Sequence, residues 1–491
     1  MGVIRCIRYS IFLSQLGIGI FGFFVQNYEM MLLSVSLLWI NNIIFALENW
    51  KERFIFFWFH AMIFMFLLSR PVISVFKGYE WKLYTDEAMQ FSFLSLWITM
   101  IFMLLGAIMY EEYRKTKKMK GALVVPIKET DEKWSSRESF QESLQIVSLI
   151  IYIIAFCAYM YLQMEKYFFM QGKIYYEFYT NFESQAPYVV HLIASFRIYS
   201  LAVFLSTAPK KRISFIILGS FLLSDFPVLL YGKRSLILID ALFIMVYYIL
   251  RDGMDKKEKW IGKFEKICIF VGGPFVILAM GAMNYLRDGI AVAVNVGDLF
   301  LDFLYKQGVS FKSLNLGYES IPFLPDRPFR NYTFGGIIDY FTHGSIAQQF
   351  FNAKPLGEGN NLAWALESNS FAHNMSYIAM DNYLEGHGLG SSYLLEVYTD
   401  YGYIGVLIFS LILGALMIWF VHAMRKMNFG SMIVLIVIMN FFFMPRGEAT
   451  GAINFLFYMQ FWAAILICYG GAALINRKYS YTSLRRKRKR G

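Results

Sequence analysis

Charged residues are scarce in this sequence, since Asp, Glu, Lys and Arg make up 16% of 491 positions. Soluble domains average about 25% charged residues, so the composition excludes an ordinary soluble globular protein. Cysteine is scarce as well: the chain has only Cys6, Cys157, Cys268 and Cys468, all in or beside apolar segments. None is part of a CxxC pair or of a Cys/His ligand spacing, so the sequence predicts neither a disulfide framework nor a zinc site.

Motifs for cofactors are also missing. No pair among the six histidines has the HExxH spacing of a metal site. The glycine-rich stretch "GHGLGSS", residues 386–392, follows no predicted strand, so a dinucleotide-binding interpretation has little support. We therefore predict no metal, nucleotide or other cofactor. The N terminus "MGVIRCIRYS" lacks a convincing cleavage site and is interpreted as the start of an uncleaved first helix.

Hydrophobic residues, in contrast, make up 57% of the chain. Many apolar runs approach the roughly 20 residues that a helix needs to cross a bilayer. The predicted fold is all-α: a polytopic integral membrane protein with about twelve transmembrane helices and one large outer loop that contains short helices. The predicted spans are 9–25, 28–47, 54–76, 88–109, 143–163, 188–208, 213–231, 234–250, 264–283, 400–423, 430–445 and 452–475.

The distribution of Lys and Arg predicts the orientation. With the N terminus inside, the inner segments hold 30 of the 46 basic residues, in agreement with the positive-inside rule. Both termini are then cytoplasmic. The net charge of +11 follows from this bias, and the basic tail is expected to contact anionic membrane lipid rather than nucleic acid.

The predicted organisation has four parts: residues 1–283 with transmembrane helices 1–9, residues 284–399 as a large extracytoplasmic loop, residues 400–475 with helices 10–12, and residues 476–491 as a basic cytoplasmic tail. A structureless loop of this length would be unusual and is commonly functional when it occurs. Short helices are predicted in "VNVGDLFLDFLYKQ" and in "GIIDYFTHGSIAQQFF". The loop contains eleven acidic and six basic residues, so an anionic ligand would need specific arginines.

Two short turns at the predicted outer face carry arginine against the positive-inside bias. "YGKRS" contains Lys233 and Arg234, and "PRGEATG" contains Arg446. The flanking spans are short: residues 234–250 would extend about 25 Å, whereas the hydrocarbon core is about 30 Å thick. Arg234 and Arg446 are therefore predicted to lie slightly below the outer interface, and Arg287, just past the ninth span, could join them.

These arginines support two interpretations. In the first, Arg234 and Arg446 reach up to lipid phosphates and have a structural role. In the second, they line an outward-facing cavity for an anionic ligand, because guanidinium is a permanent cation whose fork of donors suits phosphate oxygens. The joint pattern favours the second interpretation.

Three charges lie within predicted spans, at Arg197, Asp225 and Asp240. A charge at the centre of a membrane helix costs about 2.5–3.5 kcal/mol on insertion scales, so such residues usually face a partner or a polar cavity. The structural alternative is that Arg197 pairs with Asp225 or Asp240.

A family resemblance appears in "EGHGLGSSYLLEVYTDYGYIGVLIFSLILG", residues 385–414, and in the preceding "AHNMSY" with its His373-Asn374 pair. Together with the arginine-bearing turns, these stretches resemble the O-antigen polysaccharide polymerase (Wzy-type) family, within the wider O-antigen polymerase and ligase group. The resemblance implies a metal-independent membrane glycosyltransferase. Such enzymes join oligosaccharide repeat units carried on undecaprenyl pyrophosphate, at the outer face of the bacterial cytoplasmic membrane, and need no nucleotide sugar.

The resemblance assigns roles to the candidate residues. Arg234, Arg446 and Arg287, with Lys233 beside the first, would bind the pyrophosphate. His373 is the preferred general base for the acceptor hydroxyl, followed by His387 and Glu448, although Glu448 could equally orient Arg446. Trp364, Tyr377 and Tyr383 are candidate surfaces for sugar stacking, with ordinary loop packing as the alternative.

Other functions remain open at this point. An O-antigen ligase-like transferase would use the same donor with a different acceptor. A lipid-linked oligosaccharide flippase would need polar residues along the inner as well as the outer helix halves, whereas the unusual charges here are biased outward. No motif supports an acyltransferase or a membrane sensor, and a chain-length regulator is an additional partner to be considered.

Overall fold

A computed structural model describes residues 2–121, 131–173, 177–230, 235–254, 258–275, 278, 281 and 296–488. Within these residues every regular element is helical, which confirms the all-α prediction. Besides the α-helical turn Lys263–Ile267 and the π-helical turn Cys268–Gly272 that follows it, the helices of seven or more residues are α1 Gly2–Val25, α2 Tyr28–Glu48, α3 Trp50–Lys77, α4 Asp86–Gly121, α5 Asp131–Met170, α6 Tyr188–Ser206, α7 Lys211–Leu230, α8 Ser235–Met254, α9 Val296–Gln307, α10 Ser310–Ser320, α11 Gly335–His343, α12 Ser345–Phe351, α13 Phe371–Ala379, α14 Tyr393–Met424, α15 Phe429–Phe441 and α16 Met459–Arg488.

Nine helices in the described part of the chain are long and apolar enough to cross a membrane. They are α1 to α7, α14 and α16, and each coincides with one of the twelve predicted segments. Of the other three segments, 234–250 lies almost wholly in α8, 264–283 lies partly outside the described residues, and 430–445 contains α15, which has only 13 residues. The total of twelve therefore stays a prediction.

The chain divides into two compact units. The first unit comprises Met1–Tyr113, Val246–Val421 and Asn440–Gly451, and the second comprises Arg114–Met245, His422–Met439 and Ala452–Gly491. The described residues of the predicted large loop, from residue 296 on, and the Arg446 turn belong to the first unit. Both regions predicted to contain short helices are helical: α9 lies in the first region, and α11 and α12 lie in the second.

Small residues let α4 and α14 approach each other closely in the first unit. A Cβ added to Gly106 would strike the carbonyl oxygen of Leu411, and one added to Gly414 would strike the backbone of α4. The hydroxyl groups of Thr99 and Ser410 are hydrogen-bonded at 3.0 Å across the same interface. Close backbone approach and hydroxyl bonds are the usual means of helix association in lipid, where apolar burial supplies little driving force.

The second unit buries the charges of α6, α7 and α8 together. Arg197 Nη2 lies 3.6 Å from Asp225 Oδ1 and 3.9 Å from Asp240 Oδ2. The Arg197 guanidinium also donates to the Ser224 hydroxyl, and its Cζ lies 3.8 Å from the centroid of the Tyr159 ring. This arrangement matches the structural alternative, in which Arg197 pairs with aspartates of neighbouring helices.

The connection after α15 differs from the prediction. The sequence predicts a short turn and a helix from residue 452, which is wrong, because α16 begins at Met459. Residues 442–458 are irregular apart from single 3-10 turns at Met444–Arg446 and Asn454–Phe457. Hydropathy does not distinguish an apolar helix from an apolar segment that is irregular but buried. Irregular backbone next to membrane helices is tolerated only where protein buries it or it lines a cavity.

Candidate functional site

Hydrogen bonds to other parts of the first unit hold the Arg446 turn. The buried carboxylate of Glu396, in α14, accepts from the Ala449 N–H at 2.7 Å. Thr450 Oγ1 donates to the carbonyl oxygen of Thr333 at 2.8 Å. Because these polar groups are buried, losing either bond would leave an unsatisfied partner, which costs about 1–3 kcal/mol. The turn that carries Arg446 is thus fixed by its surroundings rather than by a helix.

The Arg446 side chain is half-buried and contacts two further elements. Its Nη1 donates to Gln307 Oε1, at the end of α9, at 3.1 Å. Its Cζ lies 5.8 Å from the ring centroid of Phe66. Phe66 belongs to a π-helical turn, Phe64–Leu68, inside α3. Such wide turns are frequent at functional sites.

Arg70 is a second cation at this corner, and the sequence argument missed it. It follows Phe66 by one turn of α3. Gly308, directly after α9, packs on the Arg70 backbone, since a Cβ added to Gly308 would lie 2.6 Å from Arg70 N. The Arg70 Cζ lies 4.6 Å from the ring centroid of Tyr305. The sequence did contain a signal for Arg70. Arg70 lies near the predicted outer end of the span 54–76, and Arg446 likewise follows the predicted outer end of the span 430–445.

His373, in α13, is the end of a short hydrogen-bond chain. His373 Nδ1 lies 2.8 Å from the Tyr383 hydroxyl oxygen, and the Tyr383 hydroxyl donates to the Asn361 carbonyl at 3.3 Å. Because the Tyr383 hydroxyl hydrogen is used in the bond to Asn361, its oxygen can only accept a hydrogen bond from His373. Nδ1 therefore carries the hydrogen and is the donor of the bond to Tyr383. This tautomer leaves Nε2 with a lone pair, as a general base requires.

The surroundings keep His373 neutral. Its ring stacks on Trp364 at a centroid distance of 4.8 Å. Burial lowers the pKa of His373 to about 4, because the charged imidazolium loses solvation. At neutral pH the side chain is therefore in the form that accepts a proton. The stacked Trp364 face is occupied by this contact.

The glycine-rich segment 386–392 connects the His373 helix with the Arg446 turn. Ser376 Oγ, one turn after His373, accepts from the Leu389 N–H at 2.8 Å. Gly390 lies against the Arg446 backbone, since a Cβ added to Gly390 would lie 3.4 Å from the Arg446 carbonyl oxygen. The structure thus joins the candidate base and a candidate pyrophosphate ligand through one short segment.

The remaining described candidates surround this junction. His387 is half-buried, and its carbonyl oxygen accepts from Asn360 Nδ2 at 2.7 Å. Glu448 is exposed on the Arg446 turn, and its carboxylate interacts electrostatically with that of Glu396. Tyr377 is 39% exposed. Arg234, Lys233 and Arg287 lie outside the described residues, so their assignment to pyrophosphate stays a prediction.

Asn374, the partner of His373 in the "AHNMSY" stretch, anchors the loop. Its Oδ1 accepts from the Tyr332 hydroxyl at 2.9 Å and from Arg327 Nη2 at 3.2 Å. Its Nδ2 donates to the Ala365 carbonyl at 2.9 Å. These bonds satisfy a fully buried amide and set the position of α13. Asn374 therefore positions His373 rather than facing a substrate.

Among the described residues, no three His, Cys, Asp or Glu side chains come together as possible ligands of a metal ion.

In the described part of the chain, nine apolar helices are long enough to cross a membrane, and every regular element is helical. A loop segment there contacts both the His373 helix and the Arg446 turn. These features define a helical integral membrane protein with a polar site on its loop. The chain belongs to the O-antigen polysaccharide polymerase Wzy family, whose sequence model matches residues 6–479. It is thus a glycosyltransferase-type polysaccharide polymerase that acts on lipid-linked oligosaccharide repeat units. No curated protein and no solved structure matches the chain.

Proposed function

We propose that this polymerase joins undecaprenyl-pyrophosphate-linked repeat units at the outer face of the bacterial cytoplasmic membrane. In the proposed step, the bond between the anomeric carbon of the donor saccharide and its pyrophosphate oxygen breaks. The acceptor hydroxyl oxygen of the incoming unit bonds to that carbon, and a base takes the hydroxyl proton. Because the pyrophosphate is already an activated leaving group, the step requires no nucleotide sugar and no metal.

The observation that carries this proposal is that Arg446, on its fixed turn, and Arg70, in α3, both contact the end of α9, and this pair is called the arginine corner. Negative charge develops on the pyrophosphate oxygen as it leaves. Cations held in place before the reaction stabilise this charge without reorganisation, and one preorganised donor is typically worth a factor of about 10²–10³ in rate. From the sequence we also propose that Arg234, Arg287 and Lys233 bind pyrophosphate.

His373 is the proposed general base. Its Nε2 is the proton acceptor in the tautomer selected by Tyr383 and Asn361, and burial keeps the ring unprotonated at neutral pH. His387 and Glu448 are the alternative bases, and an alternative role proposed for Glu448 is to orient Arg446.

The arginine corner can be tested with purified protein and lipid-linked repeat units, without nucleotide or metal. We expect Arg446→Ala and Arg70→Ala each to lower the polymerisation rate by about 100-fold, with the folded protein retained. Arg446→Lys keeps the positive charge but loses the paired N–H donors of the guanidinium group. Its polymerisation rate should therefore lie between those of the wild type and of Arg446→Ala. Arg330→Ala is the matched control, since Arg330 is another half-buried arginine of the loop.

Normal chain lengths from Arg446→Ala and Arg70→Ala would contradict the pyrophosphate assignment. The same assay distinguishes the other functions, because lipid-linked repeat unit is its only substrate. A polymerase extends this substrate, whereas a ligase-like transferase requires a different acceptor and a flippase makes no new bond.

A further inference from the structure

A cavity of about 500 Å³ lies in the first unit, and none of its lining residues belongs to the arginine corner or to the His373 chain. Its walls come from the outer end of α1, the first turns of α4, the end of α10 and the residue after Gly402 in α14. The side chains that matter for binding are Glu87, Gln90, Phe91, Trp97, Tyr318 and Tyr403.

One wall of the cavity is a cluster of aromatic rings. The Phe91 ring stacks on Tyr318 with centroids 4.7 Å apart and planes 19° apart, and lies 4.5 Å from the Tyr398 ring. Tyr398 in turn lies 4.7 Å from Tyr403. Phe91 is buried and the cluster is packed on several sides, so the wall is rigid. A rigid aromatic surface suits a ligand with a flat apolar face.

The polar groups of the cavity are at its mouth. Glu87 is exposed and Gln90 is half-buried, one turn further along α4. Deeper in the cavity, Trp97 offers only its ring, because its Nε1 already donates to Gln15 Oε1 at 2.8 Å. The cavity therefore combines an apolar wall with hydrogen-bonding groups at one edge.

The charge around the mouth is unsuited to phosphate. Glu87 is itself an acid and is preceded by Asp86. Two nearby lysines are already paired: Lys77 Nζ, at the end of α3, lies 2.7 Å from Asp298 Oδ1, and Lys82 Nζ, in the connection to α4, lies 2.9 Å from Glu29 Oε1. A lipid phosphate or a pyrophosphate would meet carboxylates here, whereas hydroxyl groups would find acceptors.

We propose that this cavity binds an uncharged saccharide segment, with sugar rings on the half-buried Tyr318 and Tyr403, which the buried Phe91 supports, and with sugar hydroxyls donating to Glu87 and Gln90. A sugar ring has an apolar C–H face and a hydroxyl edge, which matches this division. The identification of the saccharide as part of the lipid-linked repeat unit, or of the polymer, rests on the proposed function.

The location of the cavity agrees with this role. Helix α10 begins three residues after Gln307, which accepts from Arg446, and carries Tyr318 about 12 Å further along. One helix therefore has the arginine corner near its start and the cavity at its end. A saccharide extending from a pyrophosphate at Arg446 would run toward the aromatic wall.

The test uses the purified full-length protein and a repeat-unit oligosaccharide released from its lipid by mild acid. This probe lacks pyrophosphate, so its binding is independent of the arginine corner. By titration calorimetry we expect the wild type to bind it, and Glu87→Gln and Tyr318→Leu to weaken binding by about tenfold or more. Glu80→Gln and Tyr188→Leu, exposed residues outside the cavity, are the matched controls.

The outcomes separate this inference from the proposed function. Arg446→Ala should bind the free oligosaccharide like the wild type, even though its polymerisation rate is about 100-fold lower. Unchanged binding in both cavity variants, or absence of binding in the wild type, would overturn the saccharide site without affecting the arginine assignment. Binding of undecaprenyl phosphate that is lost in the cavity variants would overturn it in favour of a lipid-chain site.

Discussion

At the scale of single residues, the site depends on side chains that are fixed by their neighbours. Arg446 lies on a turn that is bound by Glu396 and Thr333, and its guanidinium contacts Gln307. His373 is given one tautomer by Tyr383. Preorganisation of this kind is what makes a cation or a base effective, because nothing has to reorient during the reaction.

A substitution at Tyr383 tests the tautomer. Tyr383→Phe removes the acceptor for the Nδ1 proton, so His373 is no longer held with Nε2 free. We expect kcat to fall about tenfold, and His373→Ala to lower it about 100-fold or more, with smaller changes in KM. Tyr377→Phe is the control, since this tyrosine is neighbouring but more exposed. Equal activity of Tyr383→Phe and wild type would show that the hydrogen-bond chain does not orient the base.

The pH dependence tests the identity of the base. A histidine whose pKa is lowered stays neutral until the pH falls to the lowered value. Because burial lowers the pKa of His373 to about 4, kcat/KM should remain high down to about pH 5 and decline only near pH 4. An exposed histidine would produce a decline near its usual pKa of about 6.5. Normal activity of His373→Ala together with loss of activity in His387→Ala would assign the base to His387 instead.

At the scale of elements, irregular helices and close contacts shape the site. The π-helical turn of α3 brings Phe66 to Arg446, and α15 ends after 13 residues so that the arginine turn begins early. Helix α14 carries Glu396 in its first turns and continues beyond Gly402, whose φ of 63° departs from helical geometry. The α4–α14 interface then supports both the turn and the aromatic cavity.

The close approach of α4 and α14 predicts a strong effect at Gly414. A leucine side chain there would meet the backbone of α4, which cannot yield as a flexible side chain would. We expect Gly414→Leu to destabilise the protein by about 3 kcal/mol or more, seen as a lower unfolding temperature in detergent. Gly470→Leu in α16 is the control, because a Cβ at Gly470 meets nothing within 4 Å. Similar unfolding temperatures for both variants would argue against a tight α4–α14 contact.

At the scale of the whole molecule, the orientation in the membrane decides whether the site can meet its substrate. The Lys and Arg distribution predicts cytoplasmic termini, with the large loop and the Arg446 turn outside. Family membership supports a polymerase that acts on lipid-linked repeat units. In the proposed function, the donor and acceptor units meet at the outer face of the membrane.

Cysteine labelling tests this orientation. In a background without the four native cysteines, Glu448→Cys should react with a membrane-impermeant maleimide on intact spheroplasts, because Glu448 is exposed on the Arg446 turn. Lys117→Cys, near the end of α4, should react only after the membrane is permeabilised. The reverse pattern would contradict the predicted topology and, with it, the outer-face reaction.

Much of the fold follows from local sequence. Length and hydropathy of a segment decide whether it can cross a bilayer, and nine of the predicted segments are helices of that kind. The same local argument fails at 442–458, because an apolar composition is compatible with both a helix and a buried irregular segment, and only the packing around Pro445 and Ala449 distinguishes them.

The sequence by itself determined the all-helical membrane architecture, the family resemblance in "GHGLGSS" and the unusual position of Arg446. Each of these depends on composition or on a contiguous motif. The tertiary structure decided that Arg70 lies at the same corner, that Tyr383 selects the tautomer of His373, and that Tyr318 and Glu87 line one cavity. These relations join residues far apart in the chain, and such contacts depend on how helices pack, which no local pattern specifies.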